Sequence, residues 1–467
     1  MSTFVSRTVM GKLGMKVLTH NCYEVGHTWC SSCSQALFDV LLATVAESAR
    51  IYATVYTVSS LVRLCRGKKV NLKNTFCDFI RSTCFLSNNG VMFLGSLCLL
   101  RRLLGLFTFP TVGLIPSGIA SFFSILMEQS SRRKLLALYM MQVDSLLIWN
   151  MLAHRKLVRP IPHGSTLLFS ITLALYSLML RTDSLEGSPD TASFLRGLFG
   201  MNGYAFAVTN WCSKRCFHFG PVFDSALSWL RDSFPSSSRC QHRYSCVSLS
   251  LESFLVNFVS VYGVASLVSV LSWLMSVVKG VRRRGPLISL LRGHLLSGSR
   301  CRLALFMALL PALYSGTDCI LNRIWSPTSS VSSDSNWRLW IQSLIPGFLS
   351  GLSMFLYPSA ALAAYSLWKW LDCLYWKGVK EGRLPRIKYA DIVIYTLATA
   401  FALHAAVFEP HALGKSYWNF LVRLTGGHYR DVHRRTLDQW GCDSSYLDRN
   451  FNPVLDPLKT TINPIFA

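Results

Sequence analysis

Long stretches with no charged side chain, or with one, recur along this chain, and they constrain its fold more than any other feature. A helix that crosses the hydrocarbon of a bilayer takes about 20 mostly apolar residues. Runs on that scale lie at Ser82–Leu100, Leu103–Met127, Leu135–Ala153, Pro160–Leu180, Ser253–Val278 and Ile392–Phe408. Pro110 marks where a helix begins inside the second run, because proline suits a first helical turn and breaks later ones. Leu303–Thr317 is short for a span. Leu339–Trp368 is too long for one straight helix and too short for two, and Pro346 and Pro358 predict a tilt or a break. Ile51–Val62 reads as an interfacial or packed helix, and Gly197–Ser213 as a re-entrant segment or a loop. The runs are continuously apolar rather than alternating. Hydrocarbon also demands that each segment pair its own backbone polar groups. The expected fold is therefore an all-α, multi-pass membrane bundle of about six to eight spans.

Composition supports that reading. Charged residues make up 15% and hydrophobic residues 51%, and mean hydropathy is +0.34. Soluble domains carry roughly 25% charge, so a disordered chain or an ordinary soluble enzyme is disfavoured. The 47 Lys and Arg against 23 Asp and Glu leave a net charge of +24. A soluble chain with that excess would suggest nucleic acid, but not beside such apolar runs, so no nucleic-acid partner is expected. The basic clusters at Arg63–Lys73, Arg132–Lys134, Arg155–Arg159, Lys279–Arg302 and Lys369–Lys388 fit anionic lipid headgroups instead. A sharper reading of Lys279–Arg302 is recognition by a membrane-insertion chaperone. Alternate loops do not separate by charge, so no orientation follows. The 15 cysteines are odd in number and several sit within apolar runs, which is the usage of a reduced compartment. Arg7, Lys12 and Lys16 interrupt any signal-peptide core, and residues 1–19 loosely resemble an organelle presequence.

An internal repeat is visible. Ile115-Pro116 opens a stretch that runs to Leu126, and Ile345-Pro346 opens a similar one that runs to Leu356. Downstream, Asp144 to Trp149 echoes Asp372 to Trp376. Duplicated halves are a common plan of transporters and channels. The expected layout is a Cys/His-rich segment at 1–34, a membrane half at 35–180, a polar linker at 181–252, and a second membrane half with a basic tail at 253–467. Gly113, Ser117 and Ser121 form a stripe at every fourth position, and Gly347 and Gly351 form a GxxxG pair. Such small residues let membrane helices approach closely.

Chemistry-bearing residues are few. Cys22, His27, Cys30 and Cys33 have the residue types and spacing of a tetrahedral zinc site. The competing reading is a membrane-proximal cap with reduced thiols and no cofactor. Cys240, His242 and Cys246 form a weaker set of the same kind. Asp144 is an acid inside an apolar run, which is costly and often functional. His433 and Asp438 match an acyltransferase-type spacing in a basic tail. No GxSxG occurs, and Gly414-Lys415-Ser416 lacks the upstream glycine of a phosphate loop, so the chain is expected not to be an enzyme.

With those residues in view, the chain resembles the transmembrane protein 135 family. The similarity lies in His20–Cys33, Phe85–Gly90, Ser131–Arg133, Ile345–Met354, Ala390-Asp391 with Ile394-Tyr395, and Ser416–Thr425. His20 to Trp29 is its most specific part. The sequence departs from the family pattern at Cys30, where the family has histidine, and through most of 181–250. The resemblance implies a multi-pass protein of peroxisomal and mitochondrial membranes. It implies a part in the balance of organelle fission and fusion, through a dynamin-related fission GTPase, and in lipid homeostasis. It also implies distant kinship with the inner-membrane translocase channels, whose helices pack through glycine stripes. It implies no catalytic residues. A transporter or translocase-like pore for lipids, metabolites or polypeptides is the alternative.

Overall fold

The computed structural model describes residues 16–65, 70–182, 184, 189–199, 225, 229, 246–278, 298–324 and 335–461. Among these the chain is helical apart from one antiparallel pairing, in which β1 (Val17–Leu18) meets β2 (Phe107–Thr108). Among the described residues seven helices are long and apolar enough to cross a membrane. Most of the polar segment 181–252, most of Lys279–Arg302, Gly197–Ser213 beyond Phe199, and Cys240 and His242 lie outside the described residues.

The chain divides into two compact units, Met1–Pro160 with Ile387–Ala467, and Ile161–Arg386. In the first unit, α1 (Cys22–Val25) precedes α2 (Cys33–Cys65), which holds the Ile51–Val62 run and packs on α3 (Leu72–Leu104). Asn71 caps α3 by accepting the Asn74 N–H, and Gly105 ends it with φ +71°, a conformation glycine adopts without strain. Pro110 stands in the first turn of α4 (Phe109–Val112), and Gly113 separates that turn from α5 (Leu114–Met127). Then follows α6 (Ser130–His154).

The second unit begins with α7 (Gly164–Arg181) and α8 (Pro189–Leu198). It continues with α9 (Cys246–Val278) and α10 (Gly298–Ile324). Leu303–Thr317, short as a charge gap, thus sits within a 27-residue helix. Leu339–Trp368 is not one span. It divides into α11 (Ser335–Gly351), a 3-10 turn at Leu352–Phe355, and α12 (Ala360–Lys380), which starts after Pro358 with Ser359 as its cap.

The last spanning helix, α13 (Ala390–Phe408), returns to the first unit and is followed by α14 (Lys415–Leu424) and α15 (Arg434–Leu437).

The repeat extends over five helices in each copy. Helices α2, α3, α5, α6 and α7 form the first copy, and α9, α10, α11, α12 and α13 the second. In each copy the first helix packs on the second and the second on the third. The fifth helices are exchanged: α13 packs on α5 and α6, and α7 packs on α11 and α12. The units of packing therefore do not follow the sequence halves at 35–180 and 253–467, since each half gives up its final helix. Nor do the described residues 16–34 of the expected 1–34 segment stand apart, since Leu18 and Val25 join the first unit's core with Leu97, Phe107, Leu147 and Phe408. In the second unit Phe169, Leu173, Phe306, Leu310, Tyr314 and Met354 form the core. Large apolar side chains such as Leu103, Leu135 and Leu397 face outward, as lipid-facing residues do.

Candidate functional site

The stretch around α1 is built as a clasp. Asn21 accepts the Glu24 N–H at 2.8 Å while its own N–H donates to Glu24 Oε2 at 2.6 Å, a reciprocal cap on this short helix. Gly26 ends the helix, and a side chain there would collide with Leu97. The backbone then folds back so that His27, fully buried, points inward. Its Nδ1–H donates to the Cys30 carbonyl at 2.7 Å, which fixes the tautomer and leaves Nε2 as a lone pair. Nε2 lies 3.4 Å from Cys33 Sγ, and Cys33 Sγ lies 3.3 Å from Cys22 Sγ. Cys98, from the middle of an apolar turn of α3, completes the group. The four ligand atoms of Cys22, His27, Cys33 and Cys98 all lie within 4.8 Å of one another. Hydrogen bonding from Cys98, opposed by burial and assisted by His27 and Cys33, lowers the Cys22 thiol pKa from its ordinary value.

Cys30, the expected partner of Cys22, His27 and Cys33, is not in this group. Its thiol faces the Ser32 carbonyl at 3.7 Å. Its carbonyl orients His27, and Cys98 takes the fourth position.

The C-terminal tail closes over the clasp. The buried Glu24 carboxylate accepts the Thr461 hydroxyl at 2.7 Å and the Thr461 N–H. Asn21 Nδ2 donates to the Lys459 carbonyl at 2.8 Å, and the His433 N–H donates to the Val25 carbonyl at 3.0 Å. Trp29 stacks on His428 with ring centres 4.1 Å apart. His433 Nδ1 meets the Glu24 carbonyl at 3.2 Å, whereas Asp438 Oδ1 accepts the Ser445 N–H at 3.1 Å. The two acyltransferase-like residues are thus each engaged elsewhere. Burial lowers the His433 pKa below its ordinary value. Between them stands Arg434, buried and missed by sequence reasoning. Its guanidinium donates to the Ala406, Val407 and Tyr429 carbonyls at 3.0, 2.6 and 3.2 Å and lies over the Trp418 ring. It closes the C-terminus of α13, where free carbonyls collect negative potential.

Both small-residue stripes lie at helix contacts. A Cβ on Gly113 would meet His404 of α13, and Ser121 Oγ reaches the Thr396 carbonyl at 3.3 Å. Ser117, fully buried, returns its hydroxyl to the Gly113 carbonyl at 2.6 Å. A Cβ on Gly347 would lie 2.6 Å from Ala174 Cα of α7, and one on Gly351 closer still to Ser170. Asp144 is buried on α6, and its Oδ1 has no hydrogen-bond partner among the described residues. A second acid, Asp318 of α10, pairs with Arg181 of α7.

Within the first unit lies an apolar cavity of about 250 Å³. Tyr52, Phe85, Tyr139, Met140, Tyr395 and Tyr417 are among its walls. The arrangement offers an aromatic, mostly apolar space with a few hydroxyls, the character of a site for an apolar ligand.

No solved structure matches the chain. Residues 19–152 match the family described as the N-terminal cysteine-rich region of Transmembrane protein 135, a stretch that contains Cys22, His27, Cys33 and Cys98. With seven helices among the described residues long and apolar enough to cross a bilayer, the chain is a helical membrane protein whose residues 19–152 are similar to the cysteine-rich region of Transmembrane protein 135.

Proposed function

We propose that this chain is a non-enzymatic protein of peroxisomal and mitochondrial membranes that serves lipid homeostasis and organelle organisation, and that its direct act is to hold a lipid chain. The observation that carries the reading is the cavity walled by Tyr52, Phe85, Tyr139, Met140, Tyr395 and Tyr417 inside a bundle of spanning helices. The family match supports the membrane setting. In this reading a dynamin-related fission GTPase and a peroxisomal membrane-protein insertion chaperone are partners.

A photoreactive fatty acid tests it. The full chain in liposomes is expected to be labelled on peptides that contain Met140 or Tyr395, and Met140→Trp, which fills the cavity, is expected to reduce that labelling at least fivefold. Labelling spread evenly over outward helix faces, unchanged by Met140→Trp, refutes the lipid site. Fractionation of tagged protein to membranes other than peroxisomes and mitochondria refutes the localisation.

The five-helix duplication favours a second reading, a transporter or translocase-like pore, because repeated halves underlie many alternating-access proteins. Liposome flux of lipid or solute, abolished by Asp144→Asn with expression intact, would favour the pore over the holder.

A further inference from the structure

We propose that Cys22, His27, Cys33 and Cys98 form a closed structural zinc site. All four donors converge: their ligand atoms lie within 4.8 Å of one another, the span of a tetrahedral shell around one ion. The set is three sulfurs and one imidazole with no carboxylate, a donor chemistry that suits zinc over calcium, magnesium or manganese. Four protein ligands leave no open position, so the ion has a structural role and not a catalytic one. His27 is prepared as a ligand. Its Nδ1–H is committed to the Cys30 carbonyl at 2.7 Å, and Nε2 faces the thiol of Cys33. Ligating histidines are commonly oriented by such an outer hydrogen bond.

A Cys22–Cys33 disulfide is the competing use of this geometry. It would leave the buried His27 Nε2 and the Cys98 thiol facing a sulfur bridge that neither can ligate. Binding balances as follows: three thiols release three protons, one Zn²⁺ is taken up, and the site carries one net negative charge. Arg101, one helical turn beyond Cys98, holds the Thr19 and His20 carbonyls at 2.8 and 2.6 Å and brings a cation to this end of the clasp.

The ion would join the start of α1, the His27 turn and the first residue of α2 to the C-terminal part of α3, far along the chain. Metal binding energy then appears as folding energy of the clasp, and of the tail that Glu24 and Val25 hold. The site does not depend on whether the cavity holds lipid.

The test uses the full chain purified in detergent with reductant and without chelator. One zinc per chain is expected by elemental analysis. X-ray absorption is expected to show about three sulfurs at ~2.3 Å and one nitrogen at ~2.0 Å. Cys98→Ser is expected to cut zinc to below half, and Cys30→Ser to leave it at one. Cys98→His, which keeps a ligand, is expected to restore binding if Cys98→Ser misfolds. Protein without stoichiometric zinc, a Cys22–Cys33 disulfide in metal-free chain, or zinc that depends on Cys30 and not on Cys98 would each overturn the assignment.

Discussion

Lys156 and Gly382 occupy the same place in two copies of one turn, each with a left-handed backbone, φ +58° and +72°. The same number of residues separates His163 from Tyr389, which precede α7 and α13 with φ +56° and +61°. Two non-glycine residues in that sparsely allowed region, at matching positions, make chance similarity a poor account of the repeat. The matching continues into the packing. Gly351 meets Ser170 in one unit, and Ser121 meets the Thr396 carbonyl in the other. Tyr389→Gly relieves the backbone strain and is expected to be tolerated, with melting in detergent unchanged or slightly raised.

Gly351→Val places a branched side chain where even a Cβ collides with Ser170 backbone. Overpacking typically costs about 1–3 kcal/mol, and here backbone has to move, so the upper end is expected. Thermal melting in detergent is the measurement, with Gly382→Val as a control: it has open space but a strained φ. If Gly351→Val melts with the wild type, the close approach of α11 and α7 is wrong.

Arg434→Ala leaves three carbonyls at and near the end of α13 without a donor and uncovers the Trp418 ring. Buried unsatisfied acceptors cost about 1–3 kcal/mol each, so a total of about 3 kcal/mol is expected. Arg434→Lys keeps the charge but not the planar fork, and is expected to recover less than half of that loss. Limited proteolysis of the C-terminal tail reads the effect, because Arg434 lies where the tail turns back on the clasp.

Asp318→Asn removes one partner of a half-buried ion pair and leaves Arg181 uncompensated. A loss of about 3 kcal/mol is expected, whereas Arg181→Met with Asp318→Leu is expected to be near neutral, because both desolvation costs vanish together. Equal damage from the single and the double variant would show that the pair does not act as a unit.

His433 titrates below its ordinary value of 6.5 because burial disfavours its charged form. At neutral pH both folded and unfolded chains carry it neutral. As pH falls below 6.5 the unfolded chain takes up the proton first, so stability declines as acidity increases. His20 and His411 shift the same way for the same leading reason. His433→Gln is therefore expected to make the fall in melting temperature between about pH 6.5 and 5 shallower without abolishing it. An unchanged slope would place His433 in a site that stays wet.

How much of this was legible in the sequence depends on range. Charge gaps located the helices because lipid tolerates few charges, and Pro110 and Pro358 located helix starts because proline acts within one turn, whereas Pro346 lies inside α11, which continues to Gly351. Where a span carries charge, that logic weakened: α10 holds Arg302 and Asp318, and Asp318 is neutralised by a residue on another helix. Cys98 was legible only as one more residue in an apolar run, since nothing local joins it to Cys33. Cys30 was chosen by spacing, but the backbone turn that buries His27 spends the Cys30 carbonyl and leaves its thiol aside. The exchange of fifth helices was hidden for a similar reason. Similarity between copies says which helices are alike and not which one each will lie against.

That exchange sets an order of events during synthesis. The helices of the first copy leave the ribosome long before α13, so α5 and α6 enter the bilayer ahead of the helix, residues 390–408, that packs on both. A stop codon anywhere ahead of that helix would therefore not trim the far end of the molecule. It would strand its beginning, leaving the cysteine clasp without the strap that Thr461 and His433 fasten across it.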